Sequence, residues 1–420
     1  MLRHRPDPEA RKGNPRPAHC PQIRHSRITG FLHLGRLVVT KWGKVEWFSD
    51  QVRCGWSSPK PMQLSEQRIE KFRRSIELAL NREWPELSKV KQQVAALGPR
   101  LINLDADKEL QVIATVATDG GESRLVLDPI RMHIIRIADS SGNIFCEDFV
   151  PLSLNPEEIL RFFFRSNETL QGFLNFLNLS WEDLLPSDTA RSPNLLQMLR
   201  ELMEWAALMR LAFGSKPKLL VRDGLLRSVL LPDAVFGAIQ VRFKELTNQR
   251  GHLLAGVSKR SQIVNYLSTG LALDERFQRK QPFYVQIPLE LERATAPPRY
   301  TWGRGRAMGH LFLARLDHGE NVPLMPVDVA MWQTDRAAEA MMLLAQDAKG
   351  SFPVRGYPQA LIAADRHARI GGLEVELLER LVLGELAERD PTVARQAQEQ
   401  MLLGKRLSQS FENGLAIGDF

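Results

Sequence analysis

Apolar residues along the chain alternate between helical and strand-like spacing. Over 63–97, Ile69, Phe72, Ile76 and Leu80 fall on one face, and Ser65 stands where a helix cap is expected. Residues 110–118 (LQVIATVAT) form a near-continuous apolar run, which predicts a buried strand ending at Asp119-Gly120-Gly121. Two further strands are predicted at 132–138 and 144–150, joined by a Ser140-Ser141-Gly142-Asn143 turn. Residues 155–213 read as mostly helical with a loop near 186–193, and 195–213 is the clearest helix. Strands at 218–222 and 253–257 bracket a helix at 233–250, and another helix begins near 261. Residues 280–330 read as strands with turns, and 331–347 and 372–388 as helices. Strands alternating with helices give an α/β or α+β fold around a mixed sheet.

Charge changes this picture at one end. The 420 residues carry a net charge of +7. The first 60 residues hold 12 of the 56 Lys and Arg but 4 of the 49 Asp and Glu, so the remainder is close to neutral. Five prolines lie among Arg and His within residues 1–30, which predicts disorder there, and Met62 is an alternative start. Cys20, Cys54 and Cys146 contain no CxxC pair, which excludes a disulfide scaffold or a cysteine zinc site and points to a reducing, cytoplasmic setting. No apolar run is long enough to span a bilayer.

The candidate chemistry is acidic. Asp119 follows an apolar strand and precedes two glycines, so it is either a turn residue or a metal ligand. Asp223-Gly224 repeats that arrangement after KLLVR, and it equally fits a hairpin whose partner strand runs to Leu231. Glu201 and Glu204 share a helix face beside Met198, Leu202 and Trp205, where they can point into a site or simply be solvated. Asp365 and His367 lie in a stretch that begins apolar and turns charged. Lys259, with Arg250 and Arg260 nearby, can contact a phosphate, or Ser258 can cap a helix there. The sequence contains no GxxxxGK[ST], GxSxG or HExxH pattern, so a P-loop NTPase, an α/β-hydrolase and a zinc protease are not supported. Three or four carboxylates from distant segments would suit a hard divalent ion, and two such ions can clamp a phosphodiester.

In their order, Asp119-Gly120-Gly121, the helix with Glu201 and Glu204, Asp223-Gly224, LLAGVSK and YPQALIAAD resemble the NurA nuclease family over about residues 65–390. The resemblance implies an RNase H-like mixed β-sheet core flanked by helices. It implies a nuclease domain at 62–400 with a helical insertion near 151–213. A disordered basic extension (1–61) would precede it and a tail (401–420) follow. It implies a Mn²⁺- or Mg²⁺-dependent deoxyribonuclease with two ions, of single-strand endonuclease and 5′–3′ exonuclease type. Such an enzyme acts in DNA end processing as a homodimer with a HerA-like hexameric ATPase. Carried over, Asp119 and Asp223 are metal ligands, Glu204 is the better match for the helix acid and Glu201 the second. Lys259 belongs to the GxSK element, and Asp365 takes a position where relatives carry His. Arg250 and Arg260 would join Lys259 in binding DNA. Gly121 and Leu225 stand where the family often shows Asp-Gly-Ser. That departure keeps open a catalytically inactive adaptor that binds the ATPase.

Overall fold

The computed structural model describes residues 37–39, 45–47, 65–102, 114–185, 194–259, 267, 270–271, 274–277, 280–295, 306–319 and 321–412. The expected disorder of 1–30 lies outside them. Two units are distinguished, Met1–Phe72 and Arg73–Phe420. In the first, β1 (Leu37–Val39) and β2 (Val45–Trp47) pair antiparallel. Helix α1 spans Glu66–Ala95. Its early apolar face is exposed, with Phe72 67% accessible, whereas Val90 and Val94 in its last turns are buried.

The second unit is built on a nine-stranded mixed sheet. After β3 (Arg100–Leu101), the antiparallel series β4 (Ala114–Leu127), β5 (Ile130–Asp139) and β6 (Ile144–Pro151) forms one wing. Asp139 closes the β5–β6 turn by accepting the amides of Ser141 and Asn143. Helix α2 (Pro156–Ser166) begins with a capping box between Asn155 and Glu158 and a proline in its first turn. Helix α3 (Glu168–Leu177) is capped by Asn167 and ends on left-handed Asn178. Helix α4 (Leu195–Ala212) is apolar on almost every side and is buried accordingly.

The centre of the sheet comes from β7 (Lys218–Asp223), α5 (Asp233–Arg250) and β8 (Leu253–Val257). β7 pairs parallel with both β4 and β8. β8 is buried at every position, which is why its sequence reads as an unbroken apolar run. β9 (Phe283–Gln286), helix α6 (Leu289–Thr295), β10 (Gly309–Arg315) and β11 (Met325–Ala330) complete the other wing. The strand order is β3-β9-β10-β11-β8-β7-β4-β5-β6. Helix α4 covers one face of the central strands. On the other lie α7 (Ala337–Ala348) and α8 (Gln359–Ala368), followed by α9 (Gly372–Arg389) and α10 (Pro391–Glu412).

Three expectations change. The strand carrying Asp119 does not end there. β4 continues through both glycines to Leu127, because β5 supplies a partner beyond the point where parallel pairing with β7 stops. Asp223-Gly224 is not a hairpin. Gly224 adopts φ +113°, and the following backbone is held by side chains and by one antiparallel bridge of Arg227 to Ala307: Arg222 donates to the Leu225 carbonyl, and Asp328 accepts from the Leu226 amide. Residues 401–412, expected as tail, continue α10.

Candidate metal centre

The parallel register places the acids in one row. Thr118 on β4 lies opposite Arg222 on β7, and Asp223 opposite Val257 on β8. Asp119 and Asp223 therefore sit side by side where the central parallel strands end, the edge at which open α/β sheets bind ligands. Alternation along β4 decides which face each side chain takes. A Cβ on Gly120 would meet Glu204 Oε1 of α4 at 2.5 Å, and one on Gly121 would meet the Ala368 carbonyl of α8 at 2.0 Å. Asp119 thus shares the α8 face with Gly121. Asp223 takes the same face, since its neighbour Arg222 points to the glutamates of α4.

Helix α8 brings the third acid. Asp347 accepts the Ala360 amide at its start, and the helix runs across β4 and β5 until His367 Nδ1 reaches the Asp139 carbonyl at 3.2 Å. Carboxylate oxygens of Asp119, Asp223 and Asp365 all lie within 4.8 Å of one another. Lys259 Nζ bridges two of them, 2.9 Å from Asp223 Oδ2 and 2.8 Å from Asp365 Oδ1. Burial first, and then the charges of Asp223 and Glu204, push the Asp119 carboxyl up to about 8. The Asp365 carboxyl stays below its usual range because Lys259 outweighs its partial burial, and Lys259 is raised by Asp223 and Asp365 despite its own burial.

A model of the NurA domain matches residues 114–370, more than half of the chain. The chain belongs to the NurA family. Among solved structures it is similar to the NurA nuclease from Sulfolobus solfataricus, with 14% identity, a TM-score of 0.43, and coverage of 78% of this chain and 98% of that one. A structure of NurA bound to dAMP and manganese is 12% identical, with a TM-score of 0.37 and coverage of 76% of this chain and 97% of that one. No curated protein sequence matches.

Within this NurA domain the two helix acids stand apart from the aspartate cluster. They are buried, not solvated. Arg222 Nη2 lies 3.2 Å from Glu201 Oε1 and 3.4 Å from Glu204 Oε2, and its guanidinium stacks 4.5 Å from the Trp205 ring. Arg200 Nε approaches Glu204 Oε1 at 3.6 Å. Glu204 is the nearer acid in electrostatic terms, since it is felt at Asp119 and itself feels Asp223. Burial raises its carboxyl to about 7 even against the two arginines. Arg250 ends α5, just before the start of β8, so a full strand separates it from the edge with the aspartates. Arg260 lies outside the described residues.

Tyr357 is a member of the site that the sequence reading did not single out. Its buried hydroxyl lies beside Asp223, and Lys259 Nζ lies 5.7 Å from its ring centre. Burial and the charges of Asp223, Asp119 and Asp365 push that hydroxyl far above the ordinary phenol range. The Tyr-Pro pair ahead of the helix was the available signal.

A hard divalent cation suits this set. Its donors are all carboxylate oxygens, and a cation would favour the ionised form of Asp119, which burial and the neighbouring acids oppose. Fully ionised, the three aspartates outnumber Lys259 and Arg369, the two described cations that reach them, so the cluster keeps a net negative charge that a divalent ion would offset.

Proposed function

We propose that this NurA domain is a metal-dependent deoxyribonuclease that hydrolyses phosphodiesters. The observation that supports this most is the convergence of Asp119, Asp223 and Asp365 beside Lys259 at the edge of the parallel strands. Asp119, Asp223 and Asp365 would hold Mn²⁺ or Mg²⁺. The ion supplies Lewis-acid charge to the scissile phosphate. Lys259, with 44% of its side chain accessible, is placed to move from its carboxylate partners to a non-bridging phosphate oxygen. Glu204 supports the field at Asp119 from the opposite face. A second ion would need Glu204 to leave its arginines, so the aspartate cluster itself provides for one.

The near-neutral body supports delivery of DNA by a partner, in keeping with a HerA-like hexameric ATPase and a homodimeric nuclease. The purified chain with Mn²⁺ and labelled single-stranded and duplex DNA tests the reading. Cleavage by the wild type and its loss in Asp119→Ala are expected; equal behaviour of the two sinks it. The pairing of Arg222 with both Glu201 and Glu204 favours a second reading, a non-catalytic adaptor. An adaptor would show no Mn²⁺-induced thermal shift.

A further inference from the structure

We propose that Phe352 is a stacking platform for an unpaired base of a single-stranded DNA substrate, a reading that rests on the nuclease assignment. Phe352 is 80% exposed and its neighbour Val354 49%. They lie on the 349–358 segment between α7 and α8, whose far end is Tyr357, packed against the aspartate cluster. The segment is tied down on both sides of Phe352. Asp317 Oδ2 accepts the Gly350 amide at 3.3 Å and the Arg355 Nε at 2.9 Å. Within the loop, the Val354 carbonyl accepts from the Ser351 hydroxyl at 2.8 Å and from the Tyr357 amide at 3.2 Å.

Asp317 fixes where this loop stands. It follows β10, whose last residues pair with the start of β11, and the start of β11 pairs with the end of β8. The loop is therefore pinned to the same edge of the sheet as Asp119 and Asp223. An aromatic ring held out to water on a tethered loop costs apolar exposure and gains nothing from the described residues. A nucleobase is a fitting occupant because it offers a π-face, and the flanking charges suit the strand it belongs to. Arg355, three residues after Phe352 and paired with Asp317, keeps 61% of its side chain accessible, and Arg369, 73% accessible, lies 3.5 Å from Asp365. Cations at both positions complement phosphates running across the acidic site. In a duplex the bases are stacked on one another and cannot use the ring, so the platform favours single strands.

The test compares full-length wild type with Phe352→Ala, Phe352→Leu and Phe352→Trp. Single-strand and duplex affinities are read by fluorescence anisotropy in EDTA, and KM and kcat for single-strand cleavage in Mn²⁺. Phe352→Ala and Phe352→Leu are expected to raise the single-strand Kd and KM about tenfold, with kcat and duplex affinity nearly unchanged. Phe352→Trp should keep wild-type values, and its indole fluorescence should be quenched by the oligonucleotide. Leucine performing as well as phenylalanine overturns the proposal, because it fills space without a π-face. Wild-type affinity and KM in Phe352→Ala, or a change in mass by light scattering with DNA affinity intact, also overturns it while leaving the nuclease reading in place. A wild type that neither binds nor cleaves DNA removes both.

Discussion

The two faces of the sheet at β4 and β7 carry the same kinds of residue and treat them in opposite ways. On the α4 face, Glu201 and Glu204 meet Arg222 and Arg200, so acids and bases balance, and three of the four are buried. On the α8 face, three half-buried aspartates meet Lys259 and, at Asp365, the exposed Arg369. The first arrangement satisfies its charges within the chain. Among the described residues the second keeps an excess of carboxylates that a bound cation would offset. One residue of strand alternation separates the two, and it turns Arg222 into structure and Asp223 into a candidate ligand.

That contrast breaks most visibly in activity. Asp223→Ala should lower Mn²⁺-dependent cleavage by about 10³-fold or more while leaving urea stability nearly intact. The mirror experiment on the other face is Arg222→Met, which strands two buried carboxylates. A loss of about 3–5 kcal/mol in urea unfolding is expected; a neutral result would mean the pairs are not formed. The two glycines sharpen the comparison at smaller scale. Gly121→Ala drives a methyl group into the backbone carbonyl of Ala368, whereas Gly120→Ala meets side chains only, those of Glu204, Arg200 and Ile137. Gly121→Ala should cost about 1–3 kcal/mol and displace α8 with Asp365, and Gly120→Ala should cost less. Equal costs would contradict the assignment of faces.

The smallest effect is a pH slope. An acid whose folded value rises from 3.8 to about 8 favours the folded state fully below pH 3.8, and that contribution is lost as pH climbs through about 8. Metal-free wild type should lose stability across this window. Asp119→Asn should flatten the slope and be more stable than wild type at pH 8 by about 1–2 kcal/mol, as read by thermal unfolding in EDTA. A parallel slope in both proteins would remove the repulsion from the account.

Much of this frame was legible from residue spacing. The helix at Asp233–Arg250 and the strand at Leu253–Val257 coincide with their expected bounds, because the apolar positions of the helix, such as Phe236, Ile239 and Phe243, are the ones it buries and the strand is a short apolar run buried throughout. Asp119, Asp223 and Lys259 stood out as polar residues at the ends of apolar runs. What the sequence could not show was direction. Glycines at 120 and 121 suggested a turn, yet they serve the close approach of α4 on one face and α8 on the other. Glu201 and Glu204 read equally well as a solvated face, because the burial of α4 depends on elements far along the chain. Asp-Pro-Thr at 390–392 was an unread start signal for α10, with Asp390 accepting the Thr392 amide.

Mn²⁺ titration calorimetry on the metal-free full chain addresses the excess of carboxylates most directly. Wild type and Glu201→Gln should both bind Mn²⁺, and Asp223→Asn should bind about 100-fold more weakly or not at all. A wild type that evolves no binding heat, or an Asp223→Asn protein that binds as wild type does, would contradict the assignment of the α8 face as the metal centre.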